Sequence, residues 1–236
     1  MDMMELIRAR HSVRQYREKS LDEISVQRLT EVIEQYNREG GLHIQLVRDE
    51  PKAFTGPMAK YGSFRGVSNY FVIAGKDAPD LDERGGYYGE KLVLLAQELG
   101  LNTCWVALTY SKKKARIELS GGERLVIVIA LGYGETQGHE RKTKPIEKLC
   151  KVTGEMPDWF RRGMEAAQLA PTAVNQQQFC IKLHEDGTVS AKALPGVCNK
   201  IDLGIVKCHF TLGAGEENFR WRNSFHGELD TFSGAC

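Results

Sequence analysis

Apolar positions along the 236-residue chain recur with two periods, and the switches between them predict its elements. A short helix is expected over Asp2 to Arg10. Ser20-Leu21-Asp22-Glu23 has the form of a capping box, with Ser20 as N-cap and Glu23 reaching back. The helix it opens carries Leu29, Val32, Ile33 and Tyr36 at i, i+3, i+4 and i+7, and Gly40-Gly41 ends it. Strands are expected at Leu42 to Val47 and Tyr70 to Ala74. Gly89 to Gly100, led in from Gly86, frames a helix with Leu92, Leu95, Ala96 and Leu99 on one face. Thr103 to Ala107 and Leu125 to Leu131 then read as strands, separated by a polar helix near Ser111 to Leu119.

Gly138 to Lys151 is a basic, proline-containing connection and the best candidate boundary between two halves, 1–150 and 151–236, of one compact unit. Pro157 suits the first turn of a helix, which must end by Ala170 because Pro171 follows. Phe179 to Leu183 and Thr188 to Ala193 pair through a turn at Glu185-Asp186-Gly187. A last helix is expected over Asp202 to Gly215. Its two glycines, Gly204 and Gly215, repeat the spacing of Gly89 and Gly100, a faint sign of an internal repeat.

Composition narrows the function without deciding it. A 42% hydrophobic, 27% charged chain with net charge +1 has no bulk electrostatic reason to bind nucleic acid or an anionic membrane. No apolar run approaches the roughly 18–20 residues needed to cross a bilayer, and the N-terminus lacks a secretory h-region. Six cysteines (Cys104, Cys150, Cys180, Cys198, Cys208, Cys236) occur without a CxxC pair. That usage predicts reduced thiols and a cytoplasmic location. Cys180 with His184, and Cys208 with His209, lack the further ligands a metal would need, so no metal site is expected.

Three segments carry candidate chemistry. Arg10-His11-Ser12-Val13-Arg14-Gln15-Tyr16 places two guanidinium groups and a hydroxyl within five residues, a donor set suited to a phosphate ester. Alone it also reads as a solvated helix end. Ala170-Pro171-Thr172-Ala173-Val174-Asn175-Gln176-Gln177 follows a helix with short polar side chains suited to edging a planar ring, or serves as a plain connection. Gly100-Leu101-Asn102-Thr103-Cys104-Trp105 closes the apolar helix and enters a strand. Gly132 to Gly138 approaches a dinucleotide fingerprint, but its last spacing is one residue too long and no apolar helix follows, so it reads as a turn.

Together, R-x-S-x-R-x-Y, A-P-T-x-x-N-x-Q and G-L-x-T-C-W resemble the FMN-dependent nitroreductase family, from Met4 to about Gly215. The order of motifs is that of a smaller branch in which one chain imitates the usual homodimer. The first half holds R-x-S-x-R but no A-P-T-x-x-N, and the second half the reverse. Departures from the family pattern are Thr143 in place of a second base after Arg141, Thr172 in place of serine, and Gln178 in place of proline.

The resemblance implies an α+β fold, an α-β-α sandwich with a mostly antiparallel sheet, built as a single-chain pseudo-dimer. It implies FMN as cofactor, held by Arg10, His11, Ser12 and Arg141 at the phosphate and ribityl end, with Arg14 near the flavin N1 and O2 edge. Pro171, Thr172, Ala173, Asn175 and Gln177 would pack on or edge the ring, and backbone groups of Ala107 and Leu108 would meet N5. It implies two-electron, ping-pong reduction of nitroaromatic, quinone or similar small-molecule acceptors by NADH or NADPH, with hydride transfer through N5 and no catalytic side chain. One chain would suffice for the site, with a homodimer possible through another surface. The alternatives are a nicotinamide-only dehydrogenase using the Gly132 turn and a non-enzymatic flavin-binding sensor or storage protein.

Overall fold

The computed structural model describes residues 2–222; Met1, Cys236 and the end of the second predicted half, from 223 on, lie outside the described residues. The helices are α1 (Met3–Ala9), α2 (Glu23–Gly40), α3 (Pro57–Tyr61), α4 (Leu81–Glu98), α5 (Asp158–Gln168) and α6 (Asn199–Ala214). The strands are β1 (His43–Val47), β2 (Asn69–Lys76), β3 (Asn102–Val106), β4 (Glu123–Gly132), β5 (Cys150–Val152), β6 (Phe179–Leu183) and β7 (Val189–Ala193). The chain is α+β and divides into two compact units that interleave along the sequence. Unit 1 comprises residues 1–8, 82–90 and 141–236; unit 2 comprises 9–81 and 91–140.

Unit 2 is built on an antiparallel sheet in the order β1-β2-β4-β3. Strand alternation sends Tyr70, Val72 and Ala74 of β2, with Val128 and Ala130 of β4 and Cys104 and Val106 of β3, into one cluster with Phe54, Phe64 and Tyr110. Phe71 and Ile73, of opposite parity, are equally buried, so β2 is covered on both faces. α2 packs beside β1, and Asn37 ties its end to the sheet by donating to the Ile44 carbonyl and accepting from the Ile44 amide.

Two expectations are corrected here. Asp22, not Ser20, caps α2: its carboxylate accepts from the Ser25 amide at 2.9 Å and the Ser25 hydroxyl at 2.7 Å. The Ser20 hydroxyl donates to Asp49 instead. These bonds and that of the Tyr133 hydroxyl hold the Asp22 carboxyl down at about 2. The polar helix expected near Ser111 to Leu119 is a single turn followed by chain without regular secondary structure. The amides of Arg116 and Glu118 bond to the Tyr70 hydroxyl and the Gln45 side chain, so the bonds a helix would need go to the sheet.

Unit 1 holds a small sheet, β5-β6-β7, with β5 parallel and β7 antiparallel to β6. β5 lies in what the sequence presented as a basic connection. The β6–β7 hairpin forms as expected, with Asp186 accepting from the Thr188 amide and hydroxyl in its turn. α5 and α6 pack tightly because small residues face each other: a Cβ added at Gly163 would lie 2.7 Å from the Phe210 ring, and one at Gly213 2.6 Å from Ala166 Cβ. The aromatic cluster Phe160, Phe210, Phe219 and Trp221 fills the adjoining space in edge-to-face contacts.

Both core helices begin earlier than the sequence suggested. α4 starts at Leu81, not near Gly86 or Gly89, and α6 at Asn199, not Asp202. Gly85, Gly86 and Gly89 lower helix propensity, but packing overrides propensity. Residues 82–90 of α4 cross α6 at glycines. A Cβ at Gly86 would sit 2.1 Å from the Ile201 carbonyl oxygen, and one at Gly204 1.9 Å from that of Glu83. Two polar pairs flank this crossing: buried Lys207 with the partly buried Glu83 at 2.5 Å, and buried His209 hydrogen-bonded to Glu90 at 2.8 Å. Among the described residues, no helix is long and apolar enough to cross a membrane.

Candidate functional site

The predicted site residues fall in both units. Unit 2 carries Arg10, His11, Ser12, Arg14, Ala107 and Leu108; unit 1 carries Arg141, Pro171, Thr172, Ala173, Asn175 and Gln177.

In unit 2 the chain after α1 forms a strap along the free edge of β3. Ser12 bridges Thr103 in parallel, and the Val13 amide donates to the Thr103 carbonyl at 3.0 Å. Val13 and Tyr16 turn into the core, where the Tyr16 hydroxyl donates to the Val13 carbonyl at 2.7 Å. Their burial fixes the strap's register, so Ser12 and Arg14 take the positions flanking Val13. Arg10, Ser12 and Arg14 gather at Cys104: burial pushes its thiol up, while Arg14, the Ser12 hydroxyl and Arg10 pull it down. Burial also holds the Tyr16 phenol well above its ordinary range. A cysteine so buried is a poor nucleophile. Arg10 is only 2% exposed, whereas Arg14 is exposed. Gly138, at a φ of 78°, leaves room for His11, whose Cβ would lie 2.6 Å from a Cβ added there.

Ala107 and Leu108 directly follow β3, both exposed, Leu108 at 72%. Ala107 lies four residues beyond Thr103, about 13 Å along an extended strand. One rigid element therefore spaces the strap from this exposed backbone.

In unit 1 the segment after α5 is the most strained backbone of the described chain. Val174, Asn175 and Gln177 adopt φ of 46°, 55° and 45°, the left-handed region that non-glycine residues rarely enter. Such conformations cost on the order of 1–3 kcal/mol each and persist only where surroundings over-determine them.

Here the surroundings are a dense polar network. The Gln177 amide donates to Thr172 Oγ1 at 3.0 Å. The Gln177 side chain accepts from the Lys144 amide at 2.7 Å and donates to the Gln168 carbonyl at 2.9 Å. Lys144 Nζ donates to the Gln177 carbonyl, and Gln168 to the Lys144 carbonyl. Asn175 donates to the Lys142 carbonyl at 2.8 Å, and Arg141 to the Leu169 carbonyl.

The structure thus brings Arg141, Thr172, Asn175 and Gln177 into one network. Gln177, 2% exposed, buttresses the loop from within, while Val174 projects 89% exposed. Sequence reading missed Lys144, Gln168 and Asp202, which hold the loop. The sequence presents Asp202 only as the start of a helix, and nothing in its local pattern marks a contact twenty-nine residues back.

The candidate metal pairs find other partners. His184 bonds Ser190 Oγ, and His209 sits between Glu90 and the Ala166 carbonyl. Cys104, Cys150, Cys198 and Cys208 form no disulfide, whereas Cys180 is disulfide-bonded, which corrects the expectation of reduced thiols throughout.

Comparison with known proteins now bears on this arrangement. The profile of the family described as "Putative TM nitroreductase" matches residues 2–214. The chain belongs to this nitroreductase family. A nitroreductase crystal structure from Thermotoga maritima MSB8 superposes with a TM-score of 0.64 at 23% identity, covering 92% of this chain and 85% of that one. A Parabacteroides distasonis protein described as an NADH dehydrogenase/NAD(P)H nitroreductase gives a TM-score of 0.50 at 18% identity, covering 62% and 95%. A Desulfovibrio desulfuricans family structure in complex with FMN gives 0.49 at 16%, covering 66% and 98%. At these identities the likeness is one of fold. No curated protein matches the chain.

Proposed function

We propose that this nitroreductase-family protein is an FMN-dependent oxidoreductase that takes two electrons from NADH or NADPH and passes them to nitroaromatic, quinone or similar acceptors in ping-pong order. The observation that carries the reading is the left-handed backbone of Val174, Asn175 and Gln177, a costly conformation maintained by its supporting network as preorganisation for a ligand would require.

The residues fit such a cofactor. Arg10, His11, Ser12 and Arg141 supply cationic and hydroxyl donors for its phosphate and ribityl end. Arg14, exposed on a strap of fixed register, supplies a cation for the edge of the ring that gains negative charge on reduction. Pro171, Thr172, Ala173 and Asn175 supply the loop against the ring. A carboxamide makes several hydrogen bonds, so the bond from Asn175 to Lys142 does not exhaust it. Gln177 acts by stiffening that loop. Ala107 and Leu108 present backbone groups to the reactive edge. Bound FMN supplies the redox chemistry, so the protein's residues bind and orient and none need act as acid or base.

The set is divided between the two units, and we propose that one chain supplies it in full for one FMN, as a single-chain pseudo-dimer. The purified protein should be yellow, release about one FMN per chain, and bleach on anaerobic addition of NADH or NADPH. A colourless protein that takes up no added FMN would sink the proposal. A flavoprotein that NAD(P)H does not reduce would leave flavin binding without the activity. Mixing an Arg14→Ala chain with an Asn175→Ala chain tests the single-chain part. Recovery of near half of the wild-type flavin content would mean that two chains complete each site.

A further inference from the structure

Asp202 lies in the first turn of α6, 4% exposed, on a helix whose neighbouring positions pack against α4. Its carboxylate does not serve that helix. Both oxygens accept from the Ala173 amide, at 3.0 and 3.1 Å, and Oδ2 also accepts from Gln176 Nε2 at 2.8 Å. Gln176 Nε2 donates in addition to the Val197 carbonyl at 2.7 Å, and Gly196 lies against its amide head. The two anchor points, Ala173 and Gln176, bracket the left-handed residues Val174 and Asn175. Fixing both ends of that turn is what the strained backbone requires.

We propose that Asp202 is the positioning residue of the 171–177 loop: its carboxylate, clamping Ala173 and Gln176 from α6, holds the left-handed turn in the form that receives the cofactor. The ligand identity rests on the flavin reading above; the clamp itself rests on these hydrogen bonds. Asp202 touches no reacting atom in this scheme and acts only through the loop.

Burial raises the Asp202 carboxyl to about 6, against the pull of its bonds to Gln176 and Ala173. The titratable groups acting at this point are Cys198 at the N-cap of α6 and, through Cys198, Asp82 of α4. The loop itself brings only the uncharged Thr172, Ala173 and Gln176. Protonation places a hydrogen on an oxygen that now accepts, so the clamp should loosen as pH falls through about 6.

The test uses the full chain, without flavin and with FMN, as wild type and as Asp202→Asn, Asp202→Glu and Gln176→Leu. In the flavin-free protein, amide hydrogen exchange at 173–177, corrected for intrinsic rates, should speed about tenfold in Asp202→Asn. Wild type should show the same gain on going from pH 7.5 to 5, and Asp202→Asn should show no such step. FMN affinity should fall about tenfold in Asp202→Asn and Gln176→Leu without any loss of thermal stability in Asp202→Asn, with partial recovery in Asp202→Glu. Wild-type protection and wild-type FMN affinity in Asp202→Asn would overturn the proposal. If that variant fails to fold, a wild-type loop whose exchange is flat from pH 7.5 to 5 overturns it equally. Should wild type bind no FMN while exchange behaves as described, the flavin reading fails and the clamp stands.

Discussion

Gly204→Ala tests the helix crossing on which unit 1 depends. The added Cβ would lie 1.9 Å from the Glu83 carbonyl oxygen and 2.7 Å from the Tyr87 amide nitrogen. Ordinary contact begins near 3.4 Å, so the helices must separate by about 1.5 Å (3.4 less 1.9) or bend. The groups met are backbone, which cannot swing aside as a side-chain tip would. Overpacking of this kind costs about 1–3 kcal/mol and sometimes more, and a backbone collision belongs at the upper end. Alanine returns up to about 1 kcal/mol of helix propensity, so the net loss should be about 2 kcal/mol. In a chain of this size that lowers Tm by about 4–8 °C. Gly121→Ala is the control, since nothing lies within 4 Å of its added Cβ and its φ is not in the left-handed range; its Tm should stay within about 2 °C of wild type. Calorimetry of the three proteins at one pH decides the matter. A Gly204→Ala protein that melts at or above wild type would show that the crossing is not close-packed.

Four further outcomes are expected. Glu90→Leu leaves the buried His209 Nε2 without its hydrogen-bond partner and should cost about 1–3 kcal/mol in denaturant unfolding, while the Glu90→Leu/His209→Leu double variant recovers much of this. The Asp202 carboxyl stands at about 6 in the fold against its ordinary 3.8, so folding favours its neutral form. That contribution is complete below about 4 and lost as pH rises through 6, amounting to about 3 kcal/mol at about 1.4 per pH unit; wild type should therefore gain stability from pH 7 to pH 4 relative to Asp202→Asn, and parallel pH profiles would contradict it. Arg14→Ala should weaken FMN binding by about one to two orders of magnitude in a fluorescence titration, as loss of a charge-assisted hydrogen bond of about 1.5–3 kcal/mol implies. Val174→Gly removes a β-branched side chain from a left-handed position, so Tm should not fall; a drop of several degrees would mean that the exposed valine is packed in the native protein.

Periodicity made most of the elements legible. The unbroken apolar run of β4 and the i, i+3, i+4, i+7 stripe of α2 reflect local burial, and both formed within a residue or two of expectation at their cores. Failures came where distant groups decide. Ser20 satisfies a capping pattern, but Asp49 draws off its hydroxyl. Residues 111–119 have helical composition, but Tyr70 and Gln45 bind their amides. Three glycines hid the start of α4, and the use of one of them, Gly86, is in the α6 crossing, which no local pattern announces. The segments bearing candidate chemistry were legible as motifs, since their residues stand side by side in sequence. The residues that support them, Lys144, Gln168 and Asp202, were not, because each is a single polar side chain whose partner lies 24 to 33 residues away.

α6 joins these observations. Within two turns it carries the Asp202 clamp, the Gly204 contact and the Lys207 and His209 pairs to residues 83 and 90 of α4. Asp202 and Gly204 are two residues apart on one rigid helix, so the loop clamp inherits its position from the crossing. A displacement of about 1.5 Å at Gly204 is large beside a hydrogen bond of 3.0 Å, which weakens once its partners part by even half an ångström. Gly204→Ala should therefore disturb the loop as well as the fold, accelerating exchange at 173–177 while lowering Tm. Asp202→Asn should disturb the loop alone, because it leaves the crossing untouched and removes the cost of burying a charge. If the loop in Gly204→Ala exchanges as in wild type while the protein melts earlier, the clamp does not take its position from the helix crossing, and the loop's own network of Gln177, Lys144 and Gln168 suffices to hold the left-handed turn.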